Sequence, residues 1–126
     1  MRTPATVLVV EDSEDVRRLY ALALGIEGYR VIEARDGLEA LLVLDVDRPD
    51  LVVLDLDLPR ISGHLVREEL AAGAMTRDIP IVIVTGTAAD PHELAVPCLL
   101  RKPVTPGSLV TAVQKCLAAG VRALER

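Results

Sequence analysis

The chain has 126 residues, 51% of them hydrophobic, and a formal net charge of −5 at pH 7. This length suits one domain with a buried core, and the acidic balance is unlike the basic face that binds nucleic-acid phosphates. With two Tyr and neither Phe nor Trp, the chain also lacks the aromatic side chains on which single-stranded bases stack.

Short apolar runs alternate with segments of helical period along the whole chain. In chain order we predict a strand at 5–10, a helix capped by Asp12 or Ser13, a strand at 30–34, a helix at 37–46, a strand at 50–56, a helix at 63–72, a strand at 79–85, a short helix near 90–97, a strand at 98–101 and a helix at 105–119. Strands that are apolar on both faces are typical of a parallel sheet covered by helices on both sides. We therefore expect an α/β fold with a doubly wound five-stranded parallel sheet and right-handed crossovers.

Polar side chains stand at the carboxyl ends of four of the predicted strands. They are the pair Glu11 and Asp12, then Asp55, Thr85 and Lys102. A charge that closes an apolar run is costly unless it is paired or binds a metal. Because the carboxyl ends of parallel strands share one edge of a sheet, where ligands bind, we expect these side chains to form one site.

The residue types in this group favour phosphoryl chemistry. Two or three carboxylates within ~4–5 Å repel by several kcal/mol at an effective dielectric constant of about 20. A hard cation offsets that repulsion, and oxygen ligands open to water favour Mg²⁺. We predict Mg²⁺ bound by Asp12 and Asp55, with Glu11 acting through water. Asp55 would then be an in-line nucleophile, and Lys102 and Thr85 would stabilise the phosphoryl oxygens.

Five segments resemble the successive signature segments of response-regulator receiver domains, the chemotaxis-regulator-like domains of two-component signalling. They are VLVVEDSEDVRRLY, EARDGLEAL, PDLVVLDLDLPRISG, IPIVIVTG and LLRKPV. The resemblance runs from about residue 7 to residue 117. It implies a flavodoxin-like fold and a phosphoprotein rather than an enzyme, with self-phosphorylation and autodephosphorylation as its only chemistry.

The resemblance also implies roles for single residues and partners. Asp55 would receive its phosphoryl group from a histidine kinase or a phosphotransfer protein, and the protein would signal by contact with another protein. The backbone carbonyl of Asp57 would complete the Mg²⁺ ligands, Lys102 would pair with the phosphoryl group, and Thr85 would be the switch hydroxyl. A cis peptide is expected before Pro103, since X–Pro bonds adopt it at low cost.

The sequence departs from the receiver pattern in two places. Leu99 stands where receivers usually have Tyr or Phe, so we expect the usual aromatic coupling to the output face to be missing. The interval between Thr85 and Lys102 is short, so the helix begun by Asp90 and stopped by Pro97 has one or two turns at most. Because this alters a surface that many receivers use to dimerise, we expect a monomer or a weak dimer.

Two other functions remain open at this point. One is a pseudo-receiver that binds partners without phosphorylation, which Leu99 and the short helix favour. The other is a Mg²⁺-dependent phosphohydrolase, since Asp55-Leu56-Asp57 is similar to the nucleophile motif of haloacid-dehalogenase-like enzymes. Pro59 stands against it, at a position where that motif expects Thr or Val.

The remaining expectations concern the whole chain and its unusual residues. We expect one receiver domain over residues 1–126, with a core from about 6 to 119, although it could be cut from a longer protein. Cys98 and Cys116 are too few for a disulfide framework, and we expect both to be reduced. His64 and His92 fit surface positions. Apolar runs shorter than the ~20 residues of a membrane span predict a cytoplasmic protein without membrane contacts.

Overall fold

Five strands and four helices alternate in the part of the chain that the computed structural model describes, residues 3–58, 61–86 and 98–124, with side chains described up to residue 119. In chain order they are β1 (Thr6–Val10), α1 (Glu14–Ile26), β2 (Arg30–Ala34), α2 (Gly37–Val46), β3 (Leu51–Asp55), α3 (Gly63–Ala72), β4 (Ile81–Thr85), β5 (Cys98–Arg101) and α4 (Pro106–Leu124). The predicted short helix near 90–97 lies outside the described residues, as does His92.

The strands form one parallel sheet in the order β2-β1-β3-β4-β5. The order reverses at β1, as in doubly wound folds of the flavodoxin type. The central strand β3 is buried at every position, and β1 and β4 are buried at all positions but the first. The predicted flavodoxin-like α/β fold is therefore confirmed.

Helices cover both faces of the sheet and enclose two separate apolar cores. On one face, α2 and α3 pack over alternate strand residues such as Leu8, Leu54 and Ile83. On the other face, α1 and α4 pack over the residues in between, such as Val9, Val53 and Val84. The period of two along each strand thus divides one continuous apolar run between two cores.

The helix starts follow from local capping. The N-cap residues of α1, α2 and α3 are Ser13, Asp36 and Ser62. The side-chain oxygen of each accepts a hydrogen bond from a backbone amide in the first turn of its helix, those of Val16, Glu39 and Leu65 respectively. Of the two predicted caps for α1, the structure therefore uses Ser13. The last helix extends to Leu124, beyond the predicted end at residue 119.

The expectation of two reduced cysteines is wrong. Cys98 on β5 and Cys116 on α4 form a disulfide, with their Cα atoms 6.9 Å apart. The two residues are separated by 18 positions, and they meet only because α4 packs over the edge of the sheet that β5 forms.

His64 lies exposed on α3, as predicted.

Among the described residues, no helix combines the length and the apolar character needed to cross a membrane.

Candidate functional site

The carboxyl ends of four strands bring the predicted polar residues to one edge of the sheet. Glu11 follows β1, Asp55 ends β3, Thr85 ends β4 and Lys102 follows β5. Asp55 is in register with Val84, and the backbone amide of Lys102 donates to the carbonyl oxygen of Thr85 at 2.9 Å. Backbone pairing between neighbouring strands therefore sets the relative positions of these side chains.

Three carboxylates form the acidic part of the site. Glu11, Asp12 and Asp55 each offer an oxygen, and these oxygens all lie within 4.8 Å of one another. Glu11 and Asp55 are almost fully buried, at 3% and 2% exposure, while Asp12 is exposed. A hard-oxygen set with one side open to water fits Mg²⁺, which binds through few carboxylates and retains several waters.

Two donors hold the carboxylate of Asp55 in place. The Nζ of Lys102 lies 3.0 Å from Oδ2, and the backbone amide of Asp57 donates to Oδ1 at 2.8 Å. Lys102 Nζ also lies 3.7 Å from Glu11 Oε1. Burial disfavours the Lys102 ammonium, but the hydrogen bond to Asp55 and the charges of Asp55 and Glu11 outweigh it, so the pKa of Lys102 is raised.

Glu11 is the carboxyl group whose ionisation the site changes most clearly. Burial, together with the hydrogen bond and negative charge of Asp55, raises the pKa of Glu11 from 4.5 to about 8. Its Oε2 accepts a hydrogen bond from the backbone amide of Asp12 at 2.8 Å. Without a cation, a proton on Glu11 therefore relieves the repulsion between neighbouring carboxylates.

The raised pKa predicts how the stability of the metal-free protein depends on pH. The unfolded chain loses the Glu11 proton near 4.5, whereas the folded protein keeps it up to about 8. The stability contributed by this proton is thus fully present below pH 4.5 and is lost as the pH rises through about 8. In EDTA, the urea concentration at the denaturation midpoint of the wild type should decrease as the pH rises from about 4.5 to about 8 and then level off.

Glu11→Gln removes this titration and should flatten that part of the profile. Glu68→Gln, which neutralises an exposed acid on α3, should leave it unchanged. Urea denaturation of the three proteins across the range is the measurement. The same decline in Glu11→Gln as in the wild type would contradict the assignment.

Two contacts that support the site are missing from the sequence-based prediction. Asp57 Oδ2 accepts a hydrogen bond from the backbone amide of Gly86 at 2.9 Å and so joins the segments that follow β3 and β4. Arg17 on α1 donates from Nη1 to the carbonyl oxygen of Glu11 at 3.0 Å, while its Nε bonds Glu33 Oε1 at 3.2 Å. The sequence singled out Asp57 only for its backbone carbonyl and its place in the Asp55-Leu56-Asp57 motif, and it gave no sign of the role of Arg17, because both contacts join segments far apart in the chain or different parts of the fold.

The other predicted positions also lie at or near this edge. Thr85 is fully buried. The peptide bond between Lys102 and Pro103 is cis, as predicted. Leu99 pairs with Ile83 across β4 and β5 and packs, partly buried, against the core beneath α2 and α3.

Comparison with known proteins gives a consistent result. The family model for the response regulator receiver domain matches residues 7–114. The polar-differentiation response regulator DivK of Brucella anthropi is 38% identical over 90 residues, which are 71% of this chain and 73% of DivK. The phosphate regulon transcriptional regulatory protein PhoB of Pseudomonas aeruginosa is 32% identical over 117 residues, 89% of this chain and 51% of PhoB.

A solved structure agrees with these relatives. The chemotaxis response regulator CheY4 of Vibrio cholerae superposes with a TM-score of 0.82 at 29% identity, over 90% of this chain and 99% of CheY4. The chain spans about half the length of the curated relatives that it matches first.

Proposed function

Because the chain belongs to the response-regulator receiver family, we propose that Asp55 accepts a phosphoryl group from the histidine of a kinase or a phosphotransfer protein. Receiver domains are signalling domains of two-component response regulators and not conventional enzymes. One observation carries the assignment to Asp55. Its buried carboxylate lies 3.0 Å from the Lys102 ammonium and within reach of two further acids.

Receiver domains generally bind Mg²⁺ at an acidic pocket, and the acidic residues here suit that ion. We assign the ligands to the side chains of Asp12 and Asp55 and to the backbone carbonyl of Asp57, with Glu11 acting through water. When bound, Mg²⁺ neutralises charge on the phosphoryl oxygens and takes over from the Glu11 proton in relieving repulsion.

Asp55 carries out the bond-forming step. One of its carboxylate oxygens attacks phosphorus, the bond between phosphorus and the donor nitrogen breaks, and the imidazole leaves with the electron pair. The Asp57 amide and the Lys102 ammonium hold the carboxylate beforehand, so little reorganisation precedes attack. As charge grows on the phosphoryl oxygens, Lys102 and the Thr85 hydroxyl stabilise it.

The proposed output is contact with another protein. We propose that residues 1–126 act as one receiver unit in the cytoplasm, as a monomer or a weak dimer. Leu99 packs into the core and has no ring to turn inward, so the signal would pass through Thr85 and the backbone of β4 and β5 rather than through an aromatic side chain.

Incubation with acetyl phosphate tests the proposal directly. With Mg²⁺, the wild-type protein should gain the mass of one phosphoryl group, and with EDTA it should not. Intact-protein mass spectrometry is the measurement. A pseudo-receiver would show no mass gain under either condition, and this result would overturn the proposed function.

Asp57 is expected to protect the acyl phosphate from hydrolysis. Its carboxylate is fixed by the Gly86 amide close to Asp55, where a negative charge disfavours the approach of a hydroxide-like water. In Asp57→Asn the phosphoryl half-life should be shorter by roughly threefold or more. The half-life is measured after removal of acetyl phosphate, with Asp47→Asn, at the C-cap of α2, as the control. A longer half-life in Asp57→Asn would contradict this prediction.

A further inference from the structure

The disulfide between Cys98 and Cys116 joins the strand that precedes Lys102 to the last helix. We propose that this pair is a reversible thiol–disulfide switch that exchanges with low-molecular-weight disulfides and sets how firmly Lys102 is held in the site. Its effect on phosphorylation rests on the proposed function, whereas its effect on β5 does not.

The surroundings of Cys98 allow such an exchange. Cys98 is partly exposed and lines a surface cavity of about 640 Å³, together with Ser108, Thr111 and Lys115 on α4. Cys116 is only 4% exposed. A small disulfide in this cavity can therefore reach Cys98 first. Attack on a disulfide requires the thiolate form of a cysteine, and Lys115 lines the same cavity.

The exchange balances without any other reactant. The Cys98 thiolate attacks one sulfur of a disulfide such as glutathione disulfide and forms a mixed disulfide with it. The S–S bond of glutathione disulfide breaks, and the released glutathione thiolate takes up a proton. The Cys116 thiolate then attacks Cys98 in the mixed disulfide and releases the second glutathione. Two protein thiols are oxidised as one glutathione disulfide is reduced to two glutathiones.

The position of β5 explains why the switch acts on the site. Among the described strands, β5 pairs with β4 alone, so it is an edge strand with hydrogen bonds on one side. The disulfide adds a covalent bond to α4 at its first residue, Cys98. Lys102 directly follows β5. Its backbone amide donates a hydrogen bond to the carbonyl oxygen of Thr85, and its Nζ donates one to Oδ2 of Asp55. In the reduced protein, β5 is held in place by side-chain packing and by its hydrogen bonds with β4.

Four measurements on oxidised and reduced wild-type protein test the switch: the number of free thiols, hydrogen exchange, the thermal midpoint and the rate of phosphorylation. The protein is equilibrated in glutathione buffers of different ratios, and free thiols are trapped by alkylation and counted by mass. The oxidised form should show slower hydrogen exchange at the Lys102 amide and a thermal midpoint higher on the order of 10 °C. With acetyl phosphate and Mg²⁺ it should phosphorylate roughly threefold faster or more, because Lys102 is already placed.

Cys98→Ser is the matched control. It cannot form the disulfide, and its Lys102 exchange and phosphorylation rate should not depend on the glutathione ratio. Failure of the disulfide to form in oxidising buffer would overturn the proposal, as would equal Lys102 exchange in both forms. Equal phosphorylation rates in both forms would overturn the link to the site. If neither form gains a phosphoryl group, the function proposed for Asp55 fails, and the exchange data alone decide on the switch.

Discussion

Asp55→Asn is expected to abolish the mass gain that acetyl phosphate and Mg²⁺ produce in the wild-type protein. The amide has nearly the same shape as the carboxylate, so the end of β3 should keep its structure, but an amide does not attack phosphorus. Because Asp55 is one cause of the raised pKa of Glu11, the variant should also show a smaller loss of stability as the pH rises from about 4.5 to about 8.

Asp45→Asn is the control for this variant. Asp45 is exposed on α2 and lies outside the group formed by Glu11, Asp12 and Asp55. The Asp45→Asn protein should therefore gain the same mass of phosphoryl group as the wild type. Circular dichroism checks that both variants are folded. A mass gain that persists in Asp55→Asn would place the phosphoryl group on another residue and refute the assignment.

Gly63→Ala is expected to produce a large loss of stability, although it adds a single methyl group. Gly63 is the buried first residue of α3, and a Cβ there would meet the carbonyl oxygen of Asp55 and lie 2.6 Å from the Cα of Leu56. Both neighbours are backbone at the end of the central strand, so they yield only if α3 moves away from β3. We expect a loss of about 2–4 kcal/mol in the free energy of unfolding.

Gly25→Ala makes the same chemical change where there is space. Gly25 is exposed in α1, and nothing lies within 4 Å of a Cβ built there. It should gain about 0.5–1 kcal/mol, because alanine loses less backbone entropy in a helix than glycine. Urea denaturation measures both variants. Equal stability of Gly63→Ala and the wild type would show that α3 does not pack against β3 as described.

A displacement of α3 by Gly63→Ala would also reach the chemistry. The carbonyl that the new methyl group meets belongs to Asp55 itself, so the carboxylate would shift relative to Lys102. We expect the folded fraction of this variant to phosphorylate more slowly than the wild type, since small displacements of reacting groups cost rate.

The residues at the edge of the sheet could be predicted because their placement follows from the fold class. Asp55 and Lys102 close apolar runs, and parallel strands present their carboxyl ends at one edge. The pattern of runs and helical segments was sufficient for the sheet and for the element order. It was also sufficient to place Glu11, Asp12 and Thr85 at the same edge.

The state of the two cysteines could not be predicted in this way. Their number and the absence of a disulfide framework favoured reduced thiols, but that inference concerns the chemical environment of the protein and not the distance between the residues. Cys98 and Cys116 meet because the edge strand lies under the last helix, and strand and helix periodicity carry no information on how two elements align along their axes.

The sequence by itself determined the α/β class, the five parallel strands and the chemical identity of the groups at their ends, because periodicity and strand polarity are local properties of the chain. Only the tertiary structure decided that Asp57 bonds Gly86, that Arg17 bonds the Glu11 carbonyl, and that burial beside Asp55 raises the pKa of Glu11. These properties depend on distances of a few ångströms between segments far apart in sequence. Such distances are set by the packing of the side chains between helices and sheet.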